Sequence, residues 1–219
     1  MSIPSIATQK PMTSCRCPAY MDWLQMLSGA SLILFMWAHL CLVSSVVIGP
    51  GVMNAIAHFF EVTGLAQVGG PAIFAVFLFH FILAARKIPF TSSEQGAMWA
   101  NAKRLRHGDT WLWVIQAVTA MIILIMGSIH MWVVLTDLPI TAAKSAARIQ
   151  GGWWLLFYLT LLPLVELHVG IGFYRIAVKW GFVGRATRWG FKKKENLLTV
   201  IMISIGIITL LRFMFLSIK

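Results

Sequence analysis

The chain has 219 residues, 59% of them hydrophobic and only 11% charged, and its 18 Lys and Arg against 7 Asp and Glu give a net charge of +11. A soluble domain of this length could not hide that much apolar surface, so the composition implies an integral membrane protein. It excludes a soluble nucleic-acid binder as the reason for the basic balance, because the cations fall between apolar runs and not along one face.

Residues 1–21 are polar and contain proline without an apolar core, which reads as a cytoplasmic arm and not as a cleaved signal peptide. Cys15 and Cys17 form a Cys-x-Cys with no second pair nearby, and Cys41 lies in an apolar run. Asp22 is the expected N-cap of a first span, 23–48, which stops at Gly49-Pro50-Gly51. A connector over 50–67 follows, with His58, Glu61 and no Lys or Arg, and its middle, VMNAIAHFFEV, suits a short interfacial helix. The second span covers 67–85 and ends at Arg86-Lys87. A polar loop over 86–109 leads to span three, 110–135, then to a connector holding Asp137, Lys144 and Arg148. Span four is 153–180, a basic loop runs from Arg185 to Lys194, and span five is 196–216. The expected fold is therefore all-α, a bundle of five transmembrane helices forming one domain over 22–219.

Fourteen of the 18 Lys and Arg lie in the N-terminal tail, the 86–109 loop and the 175–194 segment. The positive-inside bias then places the N-terminus in the cytoplasm and the C-terminus outside.

Four histidines sit inside four of the spans: His39, His80, His130 and His168. Measured from the cytoplasmic end by helical rise, His39 lies roughly 24 Å deep and His130 roughly 28 Å, whereas His80 lies roughly 9 Å and His168 roughly 10 Å deep. Each level thus holds two imidazoles from two different helices. Such a pair can clamp one haem iron from both sides and leave no open position, a geometry that favours electron transfer. Two haems stacked in this way would place their irons on the order of 15 Å apart. Ala38, Gly127, Ser128, Gly170 and Gly172 are small enough to let a flat macrocycle approach the backbone, although helix packing explains small residues equally well. Glu166, two residues before His168, should point to nearly the opposite side of its helix, either bonded to a neighbouring hydroxyl or water or serving as a proton relay. Pro163 should loosen the helix just before it. A proton channel or transporter using these His and Glu residues without haem is the competing reading. It is disfavoured by the lack of an internal repeat.

Specific segments carry a resemblance across most of the chain: FMWAHL around His39, FAVFLFHFILAARKIPF around His80, RHGDTWLWVIQAVTAMIILIMGSIH ending at His130, and VELHVGIGFYRIAVKWGF around and after His168. The chain resembles the dihaem, single-anchor cytochrome b subunits of the succinate:quinone oxidoreductase family, which includes quinol:fumarate reductases. That resemblance implies two b-type haems, with His39 and His130 on the outer iron and His80 and His168 on the inner one. It also implies that Glu61 accepts a proton at an outer menaquinol oxidation site, that Glu166 is a transmembrane proton relay, and that Gln25, Trp113 and Lys179 lie by the inner haem's propionates. The implied partners are a flavoprotein (FAD) subunit and an iron–sulfur subunit docked on the cytoplasmic face. The setting is the bacterial cytoplasmic (inner) membrane, where two such heterotrimers can pair. The direction of turnover stays open, since fumarate reduction and succinate oxidation use the same parts. A cytochrome b anchor of another quinone-linked dehydrogenase is a further alternative, but its partner would dock outside, away from the cations.

Overall fold

A computed structural model describes residues 17–218. The elements, in order, are α1 (Cys17–Ser44), a 3-10 turn (Ser45–Val47), α2 (Pro50–Val62), α3 (Leu65–Ala85), α4 (Ser92–Leu105), α5 (Gly108–Leu135), α6 (Ala142–Gln150), α7 (Trp153–Lys179) and α8 (Arg188–Met214). Among the described residues, five helices are long and apolar enough to cross a membrane: α1 with the 3-10 turn, α3, α5, α7 and α8. Their large apolar side chains are turned outward in number, Leu34, Ile82, Ile125, Trp132 and Leu211 among them. In water that exposure would be a liability; in lipid it is the expected surface.

Helices α1, α3, α5 and α7 pack as neighbours around a ring, and α8 lies outside it against α7 and α1. Each ring helix brings one of the four span histidines to a shared interior. At one end α2 and α6 close the ring through a compact plug, where Val46 and Met53 are fully buried against Ala142, Ala146, Ile149 and Phe213. Hydrogen bonds hold the plug in place. Asn54 Oδ1 accepts from the Ala142 N–H at 2.8 Å, and Gln150 Nε2 donates to the carbonyls of Phe213 (3.0 Å) and Leu216 (2.8 Å). Gly64, at φ +72°, makes the left-handed turn between α2 and α3 that a side chain would resist.

Several elements differ from the sequence expectation. The first helix starts at Cys17, so residues 17–21 of the expected tail are helical and Asp22 is not its N-cap. Asp22 sits inside the helix because three cations from α7 and the end of α3 take its carboxylate. The 86–109 loop contains α4, opened by a capping box in which Thr91 Oγ1 accepts from the Glu94 N–H (3.3 Å) and Glu94 Oε2 accepts from the Thr91 N–H (3.2 Å). The connector after span three contains α6, capped by Thr141. The basic segment before span five is helical from Arg188, so α8 begins eight residues earlier than expected. Pro163 lies within a continuous α7, as Pro71 does within α3. The Cys-x-Cys pair cannot be placed, since Cys15 lies outside the described residues.

Gly206 brings α8 against α7: a Cβ there would lie 2.5 and 2.7 Å from the two methyl carbons of Leu162. Replacing Gly206 with Ile should therefore overpack this contact and destabilise the protein by about 1–3 kcal/mol. Thermal unfolding in detergent should show a lowered midpoint, while Gly190→Ala, where a Cβ would meet nothing, should not lower it.

Candidate functional site

The ring encloses a cavity of about 780 Å³ that reaches from Asp22 at one end to Asp137 at the other. His39, His80, His130 and His168 all line it, and each keeps part of its surface open to it. The rings of His39 and His130 lie 5.9 Å apart, centre to centre, with their planes at 65°. Two imidazoles each bonded to one metal ion at about 2 Å would have ring centres on the order of 6 Å apart. His80 and His168 face the same cavity nearer the Asp22 end.

Hydrogen bonds fix which nitrogen two of the rings offer. His168 Nδ1 lies 3.2 Å from the Gln116 carbonyl oxygen and 3.1 Å from Thr119 Oγ1. A carbonyl only accepts, so Nδ1 of His168 carries the proton and Nε2 keeps its lone pair. The Thr119 hydroxyl already gives its own proton to Ile115 O at 2.8 Å. The same logic holds for His80: Ser28 Oγ donates to Leu24 O at 2.8 Å and so accepts from His80 Nδ1 at 3.0 Å. His130 Nδ1 lies 3.1 Å from the Tyr158 hydroxyl. These outer contacts orient a ring and raise the basicity of its other nitrogen, which is the arrangement a metal-ligating histidine needs. His39 makes no such bond among the described residues and only stacks on Phe35, with ring centres 5.7 Å apart.

Small residues shape the walls. A Cβ on Gly29 would meet His80 Cε1 at 3.0 Å, one on Gly127 would meet the Phe77 ring at 3.3 Å, and one on Gly172 would meet Gln116 Nε2 at 3.1 Å. Gly127, Gly172 and Ala38 line the cavity as expected. Gly170 does not: it faces α8, where Glu195 and Thr199 occupy the space a side chain would need. Ser128 also lies off the lining.

Charge gathers at the two ends. Asp22 binds Lys179 (2.6 Å), Lys87 (2.7 Å) and Arg86 (3.2 Å), and Lys87 also donates to Gln25 Oε1 at 2.9 Å. Arg175 donates to Gln116 Oε1 at 2.6 Å. Gln25, Trp113, Lys87, Arg175 and Lys179 all border the cavity here, so one carboxylate faces four cations and the corner is short of negative charge. A flat group carrying two carboxylates would complete it. At the other end Asp137 binds Arg148 (2.7 Å) and Lys144 (2.9 Å). The Lys144 ammonium above all, then Arg148, holds the Asp137 carboxyl below the usual carboxylate range.

Glu61 closes α2 on the cavity wall at this same end, half-buried, and accepts from Gln67 Nε2 at 2.7 Å. Glu166 is 3% exposed and lines the cavity together with His168, although it was expected on the opposite side of α7. The cavity is wide enough to reach round the helix to both. Glu166 has no side-chain hydrogen-bond partner among the described residues, which leaves a water or a relayed proton as its expected company. His58 and His107 are exposed, as expected of surface residues.

Sequence reasoning missed Ser28, Thr119, Gln116 and Tyr158 as partners of the imidazoles, and Asp22, Lys87 and Arg175 as the charged corner. Nothing local marks them, because each acts on a side chain some 28 to 157 residues away.

Residues 92–210 match a family model described as the succinate dehydrogenase/fumarate reductase transmembrane subunit. The chain is 37% identical over 207 residues to the fumarate reductase cytochrome b subunit of Wolinella succinogenes, covering 89% of this chain and 81% of that one. Against the subunit of the same name from Helicobacter pylori the identity is 36% over 201 residues, covering 87% and 78%.

The Asp137 ion pairs give a pH signature. A carboxyl depressed in the fold contributes stability that is present above its unfolded value and is lost as acid titrates it through the folded value. The melting difference between the unaltered protein and Asp137→Asn should therefore stay constant from pH 8 to about 5 and shrink only below the ordinary carboxylate range.

Proposed function

The chain belongs to the succinate dehydrogenase/fumarate reductase transmembrane subunit family, and we propose that it is the dihaem membrane anchor of a quinol:fumarate reductase. It sits in the bacterial cytoplasmic membrane with its N-terminus and the Asp22 end inside. The arrangement of four imidazoles in two levels on one cavity carries this reading. Two b-type haems, when bound, supply the one-electron steps that link menaquinol at the outer end to an iron–sulfur subunit at the inner end, and from there to a flavoprotein that reduces fumarate.

The chain's own residues have distinct parts in this. His39 and His130 would hold the outer iron, and His80 and His168 the inner one. Ser28 and Thr119, with the Gln116 carbonyl, keep the inner pair in the tautomer that offers Nε2. Gln25, Trp113, Lys87 and Lys179 supply the donors and positive charge that the inner group's carboxylates need. Glu61, at the outer end of the cavity, takes a proton from menaquinol as it is oxidised, and its Oε1 is held by Gln67. Electrons moving inward alone would work against the membrane potential at about 2.3 kcal/mol per charge per 100 mV. Glu166, at mid-depth on the cavity wall, carries a proton inward with each electron and removes that cost. Dicarboxylate chemistry has no residues in this chain, and the cytoplasmic cations provide the docking face for the partner subunits.

A dithionite-reduced minus oxidised spectrum of protein expressed with sufficient haem should show two low-spin b-type haems per chain. His39→Ala and His168→Ala should each lose one of the two, and a colourless protein would overturn the reading. Glu61→Gln should lower quinol-driven turnover of the complex by on the order of a hundredfold. Its haem spectrum should be unchanged, and fumarate reduction driven by an artificial electron donor to the partner subunits should keep its full rate.

A further inference from the structure

Glu195 is a second carboxylate buried within a membrane helix, 4% exposed, and no step above uses it. It lies on α8 opposite Gly170, one turn of α7 to the cytoplasmic side of Glu166. A side chain at Gly170 would collide with Glu195 Oε1 and Thr199 Oγ1, so glycine is what admits the carboxylate here. Glu166 and Glu195 line one small pocket of about 10 Å³, together with Trp37, Phe173, Leu198 and Met202. That volume suits one water molecule, and the two carboxylates with Thr199 give that water polar partners. Glu166 also borders the large cavity, so it stands between the two spaces.

The far side of Glu195 leads outward. Thr199 Oγ1 donates to its Oε1 at 3.0 Å, and the Lys192 ammonium pairs with its Oε2. Lys192 lies 5.2 Å above the Tyr174 ring, one further turn along α7 from Gly170. Tyr174 in turn donates to Asp109 Oδ1 at 3.0 Å, beside Arg188, at the cytoplasmic edge. Glu166, Gly170 and Tyr174 are spaced by four residues and share one face of α7.

We propose that Glu195 is the cytoplasmic exit of the proton route that begins at Glu166, which it extends and on which it rests. Oε1, facing the pocket, takes a proton from its water. Oε2 releases one to water at the Lys192 edge, so the carboxylate ends as it began and no other reactant is consumed. Lys192 is a positioning residue that holds Oε2 toward the surface.

The test uses the whole complex in sealed vesicles, with quinol-driven fumarate reduction measured with and without a protonophore. Glu195→Gln should lose on the order of a hundredfold in rate, recover when the protonophore collapses the potential, and keep its haem spectrum. A merely structural loss would not recover in this way. Should Glu195→Gln fail to assemble, Thr199→Val, which removes only the hydroxyl on Oε1, should show the same protonophore-relieved loss in smaller measure. A Glu195→Gln complex that turns over like the unaltered one overturns the proposal, as does a loss that the protonophore leaves in place. Glu166→Gln measured in parallel separates the two readings. If only Glu166→Gln is impaired and relieved, the exit falls and the relay stands. If neither variant is impaired, the relay falls as well.

Discussion

Everything in this bundle follows from the need to satisfy polar groups where no bulk water can reach them. An imidazole ring among apolar helices has one nitrogen that must donate and one that must accept, and an unmet need costs a kcal/mol or more. The chain meets the donor side from within: the hydroxyls of Ser28 and Thr119 and the Gln116 carbonyl take the Nδ1 protons of His80 and His168. Both hydroxyls can accept because each has already spent its own proton on a helix carbonyl one turn back. What remains is an Nε2 lone pair on each of these two rings, with no hydrogen-bond partner among the described residues.

The same constraint sorts the charges. Cations that the apolar interior would reject stand at the two ends of the cavity, and a single aspartate anchors each group, Asp22 at one and Asp137 at the other. The two carboxylates away from the ends, Glu166 and Glu195, share a small pocket between α7 and α8. The fifth helix thus has a purpose the ring of four lacks: it brings no histidine, yet it supplies the wall that makes this pocket polar.

Much of this was legible in the sequence, because a long apolar helix converts residue number directly into depth. Counting rise alone paired His39 with His130 and His80 with His168, and the structure puts the first pair of rings 5.9 Å apart. What escaped was short, polar or lateral. Helix α4 is polar with little apolar periodicity, and α6, although Ala142, Ala146 and Ile149 recur at helical spacing, is only nine residues of mostly small side chains; Thr91 with Glu94 and the lone Thr141 are nevertheless visible as caps. Asp22 has the chemistry of a cap, and only the arrival of Lys87, Arg86 and Lys179 from other elements reveals that it is an ion-pair hub. Gly170 reads like the glycines of the cavity wall, and nothing in its own helix tells that α8 claims its space. Angle around a helix predicts direction; it does not predict how far a cavity spreads.

The helical start of α8 changes what the basic end presents to its surroundings. Had the stretch from Arg188 to Lys194 been a loop, its cations would all be available to an approaching surface. As a helix it distributes them by angle: Arg188 turns to Asp109 and Lys192 to Glu195, while Lys193 lies over the ring of Trp189. Arg86, Lys87 and Lys179 are likewise engaged with Asp22. Many of these cations are therefore held in place by internal contacts, although Asp22 offsets only one of the three charges gathered on it. Among the described residues, Lys103, Arg104, Arg106, Arg185, Lys193 and Lys194 pair with no carboxylate, so association there is governed by where these side chains stand as well as by the sum of charges.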